Sequence, residues 1–316
     1  MLGRAGVVDV GGCEVAFGEL GEGPPIVMLH GLGDTHHTFR RIAPALAKRH
    51  RVLMPDLPGH GSSGRPEDAP YDAPWYASTI ASFMERVGVP SAAICGHSLG
   101  GGIALTMLQE HPERIERLAL IAPGGMGREI SWWLRLSALP MTRALLGCLV
   151  ARRFATRMAV RWGPARFARP EPEELERYAQ IAALPGTAVA LHRTISACLD
   201  MRGQRTTFWD AAGSLASLPP IAVLWGERDP IVPFAHAEAV MARLLHASVH
   251  GYAGCGHFPH LDDPARVARD LSDFLGDPAR PCCQLRTAPG AALATPSATE
   301  RACDPTWAPA LSVSAS

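Results

Sequence analysis

Nine residues, Ile94-Cys95-Gly96-His97-Ser98-Leu99-Gly100-Gly101-Gly102, constrain this chain more than any other stretch. Ala92-Ala93-Ile94-Cys95 is an apolar run that suits a buried strand, and Ile103-Ala104-Leu105 with Met107-Leu108 opens a helical pattern. Between them lies Gly-x-Ser-x-Gly. A serine at the tip of so sharp a strand-to-helix turn projects its hydroxyl above the sheet. Side chains two residues before and after it would collide with the neighbouring strand or helix, which accounts for glycine at both positions. The same residues also suit an ordinary Gly-rich turn. The rest of the chain decides between the two.

Taken in order, the chain alternates. Residues 7 to 20 read as two short strands joined at Gly11-Gly12. Ile26-Val27-Met28-Leu29 is an apolar run typical of a strand buried on both faces, and it ends in His30-Gly31-Leu32-Gly33. Thr38 to Arg49 carries a helical stripe. Val52-Leu53-Met54 is the next strand, ending in Pro55-Asp56-Leu57-Pro58-Gly59-His60-Gly61-Ser62-Ser63. A helix around 75 to 87 leads into the serine turn, and Leu118-Ala119-Leu120-Ile121 is a further strand. Strands alternating with helices imply an α/β fold with a mainly parallel sheet flanked by helices.

From about 126 to 215 the pattern is helical, broken by Pro140, Pro164, Pro170, Pro172 and Pro185. Ile221 to Trp225 resumes the sheet and ends in Gly226-Glu227-Arg228-Asp229. Residues 234 to 245 are helical, Ala247 to Tyr252 is the last strand, and His257 follows it. Residues 265 to 275 form an amphipathic helix. The expected organisation is a core of 1–125 and 216–277, an inserted helical cap of 126–215, and a Pro-, Ala- and Ser-rich tail of 278–316 that reads as disordered.

Formal net charge is zero, so no overall field draws in nucleic acid. The eight cysteines show no metal or disulfide spacing, which suits a reducing, cytoplasmic setting. The N-terminus has no continuous apolar segment of the kind a signal peptide carries. No metal and no cofactor is expected.

In open parallel sheets ligands bind at the carboxyl ends of strands. Ser98 is the candidate nucleophile, His257 the candidate base, and Asp229 the candidate carboxylate that orients it. The backbone N–H groups of Leu32 and Leu99 are the candidate oxyanion donors. The strand ending at Ile121 runs into Ala122-Pro123-Gly124 with no carboxylate, which favours Asp229 as the acid. His30 reads as a structural hydrogen-bonder and Asp56 as part of a structural turn. His60 and His97 lie near the site without an obvious role.

Five of these motifs, His30-Gly31-Leu32-Gly33, Asp56 to Ser63, Gly96 to Gly101, Gly226 to Pro233 and Gly256-His257-Phe258-Pro259-His260, together resemble the α/β-hydrolase superfamily across residues 7 to 276. The resemblance implies the α/β-hydrolase fold, with the insertion where that family places its helical lid. Dehalogenases and epoxide hydrolases of this fold use an aspartate nucleophile, so Ser98 implies a serine acyl-type mechanism. Ala122 to Gly127 followed by a cap is similar to the carbon–carbon hydrolases of ring-fission products, whose cap arginine Arg177 would match. Those enzymes carry Trp after the catalytic histidine, where this chain has Phe258.

Residues 130 to 170 hold eight Arg and no Asp, Glu or Lys, interleaved with Trp132, Trp133, Leu134, Leu145, Leu146, Phe154 and Trp162. The apolar residues are expected to cover an acyl pocket, with Trp132, Trp133, Arg177 and Phe258 as substrate contacts. The arginines suit solvent, an anionic substrate or peripheral contact with an anionic membrane. Three functions follow. One is a serine carboxylesterase or lipase-like enzyme acting on a small apolar ester. The others are a carbon–carbon hydrolase and a non-catalytic binding or signalling protein on the same scaffold.

Overall fold

The computed structural model describes residues 3–142, 152–153, 156–158, 170–215, 217–278 and 280–285. Eight strands form the central sheet: β1 (Arg4–Val10), β2 (Cys13–Leu20), β3 (Pro25–Leu29), β4 (Arg51–Pro55), β5 (Ala92–His97), β6 (Ile115–Ile121), β7 (Ile221–Gly226) and β8 (Ser248–Tyr252). Their spatial order is β1-β2-β4-β3-β5-β6-β7-β8. The β1–β2 and β2–β4 pairs are antiparallel, and every pair from β4 to β8 is parallel.

The apolar runs become strands because both faces of the sheet are covered. Successive side chains of a strand point to opposite faces. Val27, Leu29, Ile94, Leu118, Leu120 and Val223 therefore pack into one core, with Ile80, Phe83, Ile103 and Met107 from α1 (Ala73–Arg86) and α2 (Leu99–Glu110). Ile26, Met28, Val52, Met54, Cys95, Ile121 and Leu224 pack into the other, against Phe39, Ile42, Val267, Leu271 and Phe274. The last three lie on the final helix (Pro264–Gly276), whose N-cap Asp263 accepts from the Arg266 amide at 3.2 Å. The stripe at 38–49 is not one helix. It is a 3-10 turn, His36–Arg41, and one α turn, Ala43–Leu46, because Pro44 supplies no amide to continue the first.

Between β6 and β7 the chain leaves the sheet and builds α3 (Trp132–Ser137), α4 (Pro172–Ala182) and α5 (Thr187–Cys198), then a small hairpin of Leu199–Asp200 and Gly203–Gln204. Polar bonds tie these elements to the rest. Arg40 pairs with the buried Glu174 at 2.5 Å, the Tyr178 hydroxyl donates to Asp34 at 2.6 Å, and the Tyr76 and Thr194 hydroxyls share a bond at 2.9 Å. Leu145, Leu146, Phe154 and Trp162 lie outside the described residues.

The stretch after 278, read as disordered, is packed in its first part. Gln284–Leu285 pairs antiparallel with Leu244–Leu245, and Cys283 is buried beneath. Periodicity cannot reveal a two-residue strand. Residues 286–316 lie outside the described residues.

Candidate active site

Ser98 stands between β5 and α2 with φ 53° and ψ −116°, a backbone conformation that a side-chain-bearing residue adopts only where its surroundings enforce it. The enforcement is visible. The Ser98 amide donates to Ile121 O at 3.0 Å, and its carbonyl accepts from Gly101, Gly102 and Gly124 at 3.0, 3.1 and 2.8 Å. A Cβ on Gly100 would sit 2.2 Å from Leu29 O, and one on Gly96 2.4 Å from Gly100 O. The helix lies so close to the sheet that both positions exclude any side chain.

The three strand-end residues come together in a chain of hydrogen bonds. The Ser98 hydroxyl lies 2.8 Å from His257 Nε2. His257 Nδ1 lies 2.7 Å from Asp229 Oδ2, and since a carboxylate only accepts, Nδ1 carries the proton and Nε2 accepts from Ser98. Asp229 is itself held from both sides. Its Oδ1 accepts from the Ile231 and Val232 amides at 2.8 and 3.0 Å, and its Oδ2 also accepts from Trp225 Nε1 at 3.2 Å. The side chains of both His257 and Asp229 are buried.

Around this line sit buried histidines that burial keeps neutral. His97, beneath Ser98, has its pKa pushed well below the ordinary value by burial and by His260 and His257. Its Nε2–H donates to the His257 carbonyl at 2.9 Å and so fixes the loop that carries His257. His30 Nδ1–H donates to Gly31 O at 2.8 Å while its Nε2 accepts from the Leu57 amide at 2.9 Å. It is a brace for the His30–Gly33 turn, as expected. Asp56 accepts from the His36 amide, His36 Nδ1 and the Ser62 amide, each at 2.8 Å, and holds the neighbouring turn.

A cavity of about 280 Å³ opens beside Ser98. Leu32 and Leu99 line it together with Ser98, followed by Ile103, Leu134, Ile195 and Phe208. Leu99 is the first residue of α2, where amides have no partner within the helix. Several polar side chains of the wall are engaged by the protein itself. Gln204 accepts from the Gly125 amide at 2.7 Å and donates to Gly127 O at 2.6 Å, Gln109 donates to Phe208 O at 3.2 Å, and Thr106 donates to Gly102 O at 3.1 Å. Arg205 lines the cavity with its Nε donating to the Ser196 and Leu199 carbonyls, both at 3.1 Å.

None of the four side chains expected to contact substrate lines this cavity. Trp132 and Trp133 point outward, 66% and 41% exposed, while Leu134 beside them turns in. Arg177, on α4, faces the His37 side, where it adds to the burial that lowers the His37 pKa to about 4. Phe258 packs on His97 and His257, with ring centroids 4.7 and 5.4 Å away. The sequence reading missed Gln204 and Thr194. Neither stands in a motif, and only the folded cap brings them to Ser98.

The model of a family described as the alpha/beta hydrolase family matches residues 26–270. An uncharacterized protein of Mycobacterium tuberculosis (strain H37Rv) is 33% identical over 273 residues, covering 84% of this chain and 79% of that protein. A 2-hydroxymuconate semialdehyde hydrolase of Pseudomonas sp. (strain CF600) is 29% identical over 269 residues, covering 81% and 88%. Among solved structures, a membrane phospholipase A superposes with a TM-score of 0.73 at 25% identity, covering 86% of each chain.

Proposed function

The chain belongs to the alpha/beta hydrolase family, and from that premise we propose that it is a serine hydrolase that cleaves a carboxylic ester through an acyl-enzyme. The observation that carries the reading is the Ser98–His257–Asp229 hydrogen-bond line at the side of an apolar cavity.

In this reading Ser98 Oγ attacks the ester carbonyl as His257 Nε2 takes its proton. Asp229 keeps Nδ1 protonated and stabilises the imidazolium that forms. The Leu32 and Leu99 amides receive the oxyanion, and one such donor is worth about 2.7–4 kcal/mol of barrier. His257 then returns the proton to the departing alkoxide. Water, activated by the same imidazole, releases the acid and restores Ser98. These steps use only this chain's residues and water.

The cavity supports an apolar, uncharged acyl part. Thr106, Gln109, Thr194 and Gln204 of its wall already hold partners, and a guest that needed them would break those bonds at about 1–3 kcal/mol each. The alternative, carbon–carbon cleavage of a diketo acid as the name of the Pseudomonas relative suggests, would use Arg177 to hold a carboxylate. Arg177 does not line the cavity, and the lining Arg205 spends its Nε on two carbonyls, so the ester reading is preferred.

A fluorophosphonate probe should label the wild type and leave Ser98→Ala unlabelled. Turnover of p-nitrophenyl esters of graded acyl length, set against a ring-fission dienoate, separates the two chemistries. No labelling ends the serine-hydrolase reading. Labelling with efficient turnover of the dienoate alone ends the ester reading.

A further inference from the structure

Seven large apolar side chains stand exposed among the described residues, and four of them fall within ten residues of sequence: Trp132, Trp133, Leu136 at 39% and Met141 at 80%. The group has an orientation. On α3, Leu134 faces the cavity, whereas Trp132 and Leu136, four residues apart, share an outer face with Arg135. One short helix is thus apolar on both sides, and among the described residues only the inner side has a partner.

Charge is segregated in the same stretch. Residues 126–215 contain thirteen Arg and no Lys against seven Asp and Glu, a net of +6 in a chain of formal net charge zero, so the remainder carries −6. Several of the seven acids are already engaged. Glu174 holds Arg40, Glu176 holds Arg153 and Arg157, and Glu129 holds His236. The insertion therefore carries a net positive charge within a neutral chain, and the exposed aromatic residues belong to it.

We propose that the outer face of α3, with Trp132, Trp133 and Leu136 and with the exposed Met141 just beyond its end, docks on an anionic lipid bilayer. Indoles settle at the headgroup boundary, where one edge is apolar and the other wet, and nearby arginines gain from the surface potential of anionic lipid. No described helix is long and apolar enough to cross a membrane, so the contact is peripheral. A six-residue helix is about 9 Å long and offers far less than the roughly 800 Å² per partner of a stable protein interface, whereas a bilayer accepts a small apolar wedge. Docking would also bring the cavity wall at Leu134 to within one helix thickness of the lipid. The inference rests on exposure and charge and does not depend on the ester reading.

The full chain is mixed with vesicles of phosphatidylcholine containing one quarter phosphatidylglycerol, and with phosphatidylcholine alone, and sedimented. The anionic vesicles should carry the protein down with a blue shift in tryptophan emission, and added salt should weaken the binding. Trp132→Ser/Trp133→Ser should lower partitioning at least tenfold, and Leu136→Glu should lower it independently. Thermal melts of both variants check that the fold is kept. The proposal is overturned if the anionic vesicles bind nothing, if both variants bind as the wild type does, or if the double substitution abolishes only a concentration-dependent self-association seen without lipid.

Discussion

Gly100 and Gly102 stand two residues apart on α2 and should answer in opposite directions to an added methyl. At Gly100 the Cβ would fall 2.2 Å from Leu29 O and 2.7 Å from His30 O, both backbone atoms that cannot step aside. Gly100→Ala is expected to destabilise by about 3 kcal/mol, the range of an overpacked core. At Gly102 the nearest atom would be Gly124 O at 3.6 Å, an ordinary contact. There the helix propensity of Ala should win by about 0.5–1 kcal/mol. Thermal melts of the two variants check both signs. His60 makes a different residue-scale prediction. Burial lowers its pKa to about 3, and its Nδ1–H donates to Pro58 O at 3.1 Å. The unfolded histidine titrates at its ordinary value of 6.5. Below that pH the unfolded chain takes up a proton that the folded chain refuses. Stability is therefore complete above pH 6.5 and falls by about 1.4 kcal/mol per pH unit as the pH drops toward 3. His30 and His97, also lowered by burial, add to the slope in the same sense. Urea titrations at pH 7, 6 and 5 should show the loss in the wild type and a shallower slope in His60→Gln. Parallel slopes would contradict it.

At the scale of elements, α4 reaches down to the loop that carries the Leu32 amide. Tyr178 donates to Asp34 Oδ1 at 2.6 Å, and Asp34 Oδ1 also accepts from the Thr35 amide at 2.8 Å. Tyr178→Phe removes one of two bonds to a buried carboxylate. It should destabilise by about 1–3 kcal/mol and, if the Leu32 amide serves as an oxyanion donor, lower kcat more than it raises KM. Ester kinetics and melts on the same protein check both effects. This latch was not readable beforehand, since Asp34 and Tyr178 are 144 residues apart in sequence and each has an ordinary neighbourhood. The strands were readable, because a strand covered on both faces must be an unbroken apolar run, as Ile26 to Leu29 and Leu118 to Ile121 are. The Ser98 and Asp229 positions were readable as well, because each follows such a run within a few residues, whereas His257 follows the mixed strand Ser248–Tyr252 and was readable from its place after the last strand. The direction of α3 was not. Trp132, Trp133, Leu134 and Leu136 surround a six-residue helix, so no polar side marks its exposed face, and only packing shows that Leu134 goes in and Trp132 stays out.

At the scale of the whole molecule, the site is assembled from residues far apart in the chain: Ser98 after β5, Asp229 after β7 and His257 after β8. β6 pairs with β7 in register, Leu118 with Ile221 and Ile121 with Leu224, although the α-helical insertion separates them. The insertion leaves from between two interior strands of the sheet rather than from its edge. During synthesis, β6 therefore leaves the ribosome as an open edge with Leu118, Leu120 and Ile121 uncovered. Roughly a hundred residues must follow before its partner strand exists. At about 5–20 residues per second, that is on the order of 5–20 s during which an apolar strand edge waits. A nascent chain of this design should depend on trigger-type chaperones and gain soluble yield when translation is slowed by cold. Comparing soluble yield with and without added chaperone at two temperatures measures that dependence, which belongs to the order of the strands rather than to the chemistry they carry.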